Sequence, residues 1–305
     1  MFSSGYQAKI WLSSSIPISS RSHCIALRSS YLSLKFHLAE AMILRRISLA
    51  KYGNAHSDFL EEVNRIMDAA KAEGVLLRLL GALAFHIHCP KFSYMQEMLG
   101  RTFTDIDFAS YKKETARINT LFAGLGYQYD VRVRALFGSR LVFYETSGTG
   151  RHCDVFLDKL EFCHDIDFQD RLEVDYPTIP LAELLLEKMQ IVKLNEKDAI
   201  DTIMLFREHP IGASDDDTIN ADHLAHLTAS DWGLWKTLTT NLENVRRTTQ
   251  NLEKLSEEDK TDVTSKITAL RDRIDKEPKT RGWRFRSQIG EKRKWYRDID
   301  ELVRE

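Results

Sequence analysis

A chain of 305 residues, 43% hydrophobic and 10% aromatic, can bury a sizeable core in one or two domains, which excludes a wholly disordered protein. A formal net charge of −2 with 29% charged residues excludes a global basic pull on nucleic acid, so any such binding must come from a local patch. No run approaches the roughly 18 apolar residues of a membrane span, and Cys24, Cys89, Cys153 and Cys163 lack close pairing, as expected of reduced thiols in a cytoplasmic protein.

Residues 1–39 contain no Asp or Glu, are rich in Ser, and carry Lys9, Arg21, Arg28 and Lys35. Such a block resembles a transit peptide, sequence upstream of a true start at Met42, or plain disorder, so residues 1–55 are set aside as an extension. Ser57 to Ala72 predicts a helix with Ser57 as cap and Gly74 at its end. Val75 to Leu80 reads as a buried strand that turns sharply at Gly81 into a helix, whose free N–H groups and positive dipole end suit a phosphate. Pro90 and an inserted loop, Lys91 to Gly100, follow. Asp105 and Asp107 then lie two apart on a second strand, so both side chains leave one face while Ile106 enters the core.

The Asp-Ile-Asp triplet recurs at Asp165 and Asp298, and context separates the copies. Only the first follows strand, glycine turn and helix, and only it precedes a marked helix, Tyr111 to Leu125. The copy at Asp165 reads as a solvated strand edge or turn, and that at Asp298 as the charged surface of a helix, Trp295 to Val303.

Between Gly126 and Asp175, Tyr127 to Val133, Arg140 to Tyr144 and Cys153 to Leu157 read as strands separated by turns such as Gly148-Thr149-Gly150. Polar and apolar residues alternate around Asp154, which would bring a third carboxylate beside the first two, suited to act as base toward an attacking hydroxyl. Nucleotidyl transfer is an in-line displacement in which two Mg2+ ions stabilise attacking and leaving oxygens, and Mg2+ needs only a few carboxylates besides phosphate and water. Ordinary turn and strand-edge aspartates are the plainer account of all three.

Pro180 to Leu194 and Glu196 to Phe206 show helical recurrence. Lys188 and Asp201 would fall on nearly opposite sides of one continuous helix, so joint service in one site demands a break near Leu194-Asn195. A solvated face, with Lys197 and Asp201 as an i,i+4 pair, is the alternative. His86, His88 and Cys89, with His152-Cys153 and Cys163-His164, invite a zinc reading, but their spacings match no compact module; packed residues are preferred, with His86 or His88 near the cleft.

Asp215-Asp216-Asp217 marks a polar linker, followed by helices over Ala221 to Leu227, Ala229 to Leu255 and Glu257 to Asp275. Trp232 and Trp235 read as packing anchors after a Ser230 or Asp231 cap. Lys276 to Arg297 is basic and interleaves Trp283, Phe285, Trp295 and Tyr296, the pattern of a surface for unpaired RNA bases, or of a solvated helix face with its aromatics turned inward.

Over roughly Ser57 to Phe206, these residues resemble the DNA polymerase β-like nucleotidyltransferase superfamily, nearest to its minimal AbiEii-like, toxin-type members. The resemblance implies an α+β fold: a nucleotidyltransferase-type mixed sheet flanked by helices over 56–210, then a helical region over 211–305. It places the phosphate turn at Gly81 and Ala82, the metal ligands at Asp105, Asp107 and Asp154, and the C-terminal pair at Lys188 and Asp201. Arg101 and Thr104 join Gly81, Ala82 and Lys188 as expected nucleotide contacts. Mg2+ or Mn2+ is the implied cofactor and a nucleoside triphosphate the substrate. The acceptor would be a hydroxyl of RNA, protein or a small molecule, and an antitoxin protein an implied partner. Ala82 departs from the Gly or Ser usual at its position, which removes a hydroxyl contact. That departure also suits the alternative, a catalytically silent nucleotide- or partner-binding module.

Overall fold

The computed structural model describes residues 51–52, 55–56, 58–131, 139–146, 148 and 150–298. The chain divides into Met1–Lys51 and Tyr52–Glu305, and the second unit is described below. The expectations for the N-terminal extension up to Ala50, for Ser57 as a cap and for the chain from Ile299 onward lie outside the described residues.

Helix α1, Phe59–Ala72, starts at Asp58, whose carboxylate accepts from the Leu60 and Glu61 N–H groups, and buries Val63, Ile66 and Met67. Strand β1, Arg78–Leu80, is shorter than the Val75 to Leu80 run, and Gly81 (φ +74°) turns it directly into α2, Gly81–His88. The expected loop contains a short helix, α3, Tyr94–Met98. Strand β2, Ile106–Ser110, leads into a 3-10 turn at Lys112–Glu114 and α4, Thr115–Gly124. Strands β3, Tyr127–Tyr129, β4, Arg140–Glu145, and β5, His152–Leu157, complete a sheet of order β1-β2-β5-β4-β3. Only the β2–β5 pair is parallel, so the sheet is mixed and the architecture is α+β.

Alternation gives this sheet two unlike faces. Register aligns Phe108 with Val155, and Leu141 with Val155, on a face closed by Phe122 of α4, which stacks on Phe143 at 4.2 Å between ring centroids. The opposite face carries Asp107, Asp154, His152 and Arg140. A hairpin of β6, Lys159–Glu161, and β7, Asp165–Asp167, follows; it holds the second Asp-Ile-Asp copy, both of whose aspartates are exposed.

Helix α5, Leu181–Met189, is buried along its whole length. Leu79 N–H donates to Pro177 O and Ile179 N–H to Leu79 O, both at 3.0 Å, so the chain runs beside β1 just before the helix begins. Asn241 Nδ2 donates to the Met189 and Ile191 carbonyls at 2.9 and 2.8 Å, satisfying acceptors where α5 stops. The helix therefore ends before the expected Leu194. Asn195 caps α6, Glu196–Glu208, by accepting from Asp198 N–H. The required break between Lys188 and Asp201 is present, over Gln190 to Asn195.

A small pair, β8 at Ile211–Gly212 and β9 at Ile219–Asn220, leads to α7, Ala221–Ser230. The expected single helix from Ala229 divides at Asp231, which caps α8, Trp232–Asn251. Helices α9, Glu257–Lys276, and α10, Arg281–Ile289, close the described chain. Arg171 pairs with both Glu183 and Asp215, and Arg207 with Asp259 at 2.6 Å, fastening this helical region to α5 and α6. Trp295 to Asp298 is not helical, so the third Asp-Ile-Asp begins outside a helix rather than on one. No described helix is long and apolar enough to cross a membrane.

Candidate active site

The parallel register of β2 and β5 sets Asp107 directly opposite Asp154, and Ile106 opposite Cys153. Side chains on one face repeat every second residue, so Asp105 and His152 form a second pair on the Asp107 face, one step along the strands. Asp105 Oδ2 and His152 Nε2 are 3.6 Å apart. Ligand atoms of Asp105, His152 and Asp154 all lie within 4.8 Å of one another, and among the described residues this is the one group of its kind. The other histidines and cysteines weighed for zinc are not part of it.

Gly81 fits against this array. A Cβ built there would stand 2.5 Å from Asp107 Oδ2, so the close approach, as well as the positive φ, requires glycine. Asp107 is half-buried as a residue, but its carboxyl is deep in the protein. Burial first, then the charges of Asp105, Asp154 and Glu187, push its pKa well up, with Arg140 opposing. The donor set of Asp105, His152 and Asp154, hard oxygens plus one imidazole nitrogen, suits a divalent cation.

Two contacts differ from the expectation. The Gly81 N–H donates to Glu187 Oε2 at 2.9 Å, so a side-chain carboxylate already stands at the helix start where a phosphate was expected. Ala82 contributes its carbonyl, which accepts from Gln96 Nε2 at 3.2 Å. Arg140, on the same face of β4, forms a short ion pair with Asp154 Oδ2 and lies over the Phe156 ring. Asp154, fully buried, thus meets a guanidinium as well as its carboxylate neighbours.

Glu187 links this array to a second cluster. Lys188 Nζ lies 2.8 Å from Glu187 Oε1, 3.5 Å from Asp198 Oδ1 and 3.9 Å from Asp201 Oδ2. Burial alone would depress the Lys188 ammonium, but Glu187, then Asp198 and Asp201, outweigh it and raise its pKa. Asp201 accepts from Gln96 Nε2 at 2.8 Å and lies 3.5 Å from Arg101 Nε. Gln96 also meets His86 Nδ1 at 2.9 Å, so the inserted segment delivers a buried site residue. The solvated-face reading of Lys188 and Asp201 is overturned, since both are buried and paired with each other.

The expected residues fall into two groups, and within the first Asp107 is not one of the three side chains, Asp105, His152 and Asp154, whose ligand atoms could hold one ion. Asp105, Asp107 and Asp154 form one group, with Thr104 Oγ1 donating to Asp105 Oδ1 at 3.1 Å, while Lys188, Asp201 and Arg101 form the other beyond Gly81. Sequence reasoning missed Glu187, Arg140, His152 as an oxygen-site neighbour, Gln96 and Asp198. For His152 the signal was its place two residues before Asp154. For Glu187 it was a charged residue beside Lys188 in a helix rich in leucine. A separate cleft of about 470 Å3, lined by residues including Lys71, Arg78 and Tyr176, shares none of these side chains.

In the basic tail, Trp283 packs on Trp235, Trp295 packs on Trp232 and donates to Thr237 Oγ1 at 3.0 Å, and Arg286 covers Trp232. Phe285 alone among the tail's aromatics is widely exposed, at 69%. No protein-family model, curated protein or solved structure matches this chain.

Proposed function

We propose that this protein is a metal-dependent nucleotidyltransferase of the DNA polymerase β-like, AbiEii-like type, moving a nucleoside monophosphate from a triphosphate to a hydroxyl acceptor. The observation that carries the reading is the register pair Asp107–Asp154, flanked by Asp105 and lying against the Gly81 turn, where a Cβ would displace the Asp107 carboxyl. Mg2+ or Mn2+ bound there would draw negative charge from the reacting phosphate and lower the pKa of the attacking hydroxyl. Asp105, Asp107 and Asp154 would hold it, and the raised pKa of Asp107 marks a carboxylate that gains most from a nearby positive charge.

Glu187 ties the Gly81 amide to Lys188, so Lys188 acts as a positioning residue for the helix start. Asp201 orients Lys188 in turn, together with Arg101 and Gln96. Arg140 neutralises Asp154 while no cation is bound, and Asp154 serves as base only when that contact loosens.

Purified protein incubated with Mg2+ or Mn2+ and each of four α-labelled nucleotides, with and without total RNA, is expected to transfer label to itself or to RNA. Asp105→Ala and Asp107→Ala should each abolish it; equal labelling by wild type and both variants defeats the proposal. The pairing of Arg140 with Asp154 and of Glu187 with the Gly81 N–H favours a second reading, a silent nucleotide-binding module. Under it, nucleotide with Mg2+ raises the melting temperature without label transfer.

A further inference from the structure

We infer that His152 is a ligand of the cation in this cleft, and that its imidazole nitrogen selects a first-row transition ion such as Mn2+ over Mg2+. The inference deepens the proposed function and takes from it the presence of a cation on this face of the sheet.

The geometry comes from β-sheet register. His152 precedes Asp154 by two residues on β5, so both side chains leave the same face, and Asp105, just before the first register pair of β2 with β5, comes to lie beside His152. His152 Nε2 is 3.6 Å from Asp105 Oδ2, too long for a good hydrogen bond and well suited to two ligands of one ion. The three ligand atoms lie within 4.8 Å of one another, slightly wider than the roughly 4.4 Å that bonds of about 2.2 Å can span, so a bound cation would draw them a little closer. The His152 side chain is only 14% exposed, with the Tyr144 ring 6.1 Å away, so its orientation is fixed by surrounding groups.

The donor set then decides the metal. Mg2+ takes oxygen almost exclusively and gives up water reluctantly, whereas imidazole suits the later divalent ions, and Mn2+ accepts both carboxylate and imidazole. Asp105 and Asp154 supply two carboxylates beside the imidazole, and Asp107, opposite Asp154 in the register, lies outside that group of three.

The test uses the full chain without nucleotide. Calorimetric titration with Mn2+ and Mg2+ should give Mn2+ an affinity at least about tenfold higher. The electron spin-echo modulation of the bound Mn2+ should carry the frequencies of a coordinated imidazole nitrogen. His152→Gln, which offers an oxygen instead, should lose that signature and bring the two affinities to within about threefold. Mg2+ binding as tightly as Mn2+, a wild-type spectrum without nitrogen coupling, or absence of any divalent binding overturns the inference. The spin-echo measurement needs no variant, so a His152→Gln protein that fails to fold leaves the test intact. Nitrogen coupling without label transfer sinks the transferase reading alone, while label transfer without nitrogen coupling sinks the assignment of His152 alone.

Discussion

Two clusters of ionisable side chains meet at Gly81, and they are balanced in opposite ways. Around α5 and α6, Lys188 and Arg101 face Glu187, Asp198 and Asp201, so positive and negative groups alternate and each buried charge has an opposite neighbour. Across β2 and β5, Asp105, Asp107 and Asp154 lie near one another, with Arg140 on Asp154 and His152 beside Asp105. A buried cluster of mixed sign can be complete within the protein. A buried cluster dominated by carboxylates gains more from an added cation, and under the proposed function the second would be the reactive end and the first its support.

The largest effect is expected where the balanced cluster loses its cation. Lys188→Met leaves Glu187 and Asp201 buried without their ammonium, and breaking a buried pair from one side costs about 3–5 kcal/mol. Urea denaturation should show a loss of that order; a loss near zero would mean that the cluster is open to water and that the contrast drawn above is false.

Gly81→Ala comes next. A φ of +74° and a Cβ 2.5 Å from Asp107 Oδ2 each oppose the substitution, and a strained backbone of this kind costs about 1–3 kcal/mol. The two causes separate in a double-variant cycle. Asp107→Ala removes the clash but not the φ strain, so Gly81→Ala should be less costly in its presence, with coupling of about 1 kcal/mol. Strict additivity would place the glycine requirement in the backbone alone.

Asp107→Asn should act in the opposite sense, stabilising the cation-free protein by about 1 kcal/mol because it removes a carboxyl whose charge is opposed first by burial and then by like charges nearby. The pH dependence follows from the direction of the shift. Asp107 holds its proton in the folded state above its ordinary value of 3.8, so the stability it contributes is fully present below that value. That stability falls away as pH rises through the raised value. Wild type should therefore lose ground to Asp107→Asn with rising pH in thermal melts without metal, and saturating Mn2+ should reverse the order. Parallel curves for the two proteins would show that the Asp107 carboxyl is not raised by burial and its neighbours.

How much of this was legible follows from the range of the interactions. The Asp105–Asp107 alignment, the glycine turn and the break before Asp201 rest on local periodicity, which a sequence displays directly. Gln96 was hidden because a loop-like segment folds into a helix only against the rest of the site. Arg140 reaches Asp154 through the antiparallel register of β4 with β5, and Glu187 reaches Gly81 because residues 177–179 run alongside β1. Both are products of pairing between distant segments, and neither strand register nor helix placement is written in the spacing of either residue alone. The third Asp-Ile-Asp shows the converse error: helical spacing around Asp298 is not enough where Trp295 is drawn onto Trp232 and the Arg297 N–H onto the Cys163 carbonyl.

The smallest effect on stability is expected where charge is exposed instead of buried. Arg281 and Arg284 lie on the outer side of α10 with Phe285, and among the described residues neither guanidinium has an ion-pair partner. Water screens such charges, so Arg281→Ala and Arg284→Ala should each change the unfolding free energy by less than about 0.5 kcal/mol, unlike any substitution in the carboxylate array. Their influence should appear only toward a polyanion. If this face receives single-stranded RNA, each substitution weakens retention of an oligonucleotide and lowers the slope of log affinity against log salt by about 1, and Phe285→Ala weakens it without changing that slope. Unaltered slopes in both arginine variants would return the tail to a purely packing role, with Trp283 and Trp295 as its purpose and the outward arginines as its solvated edge.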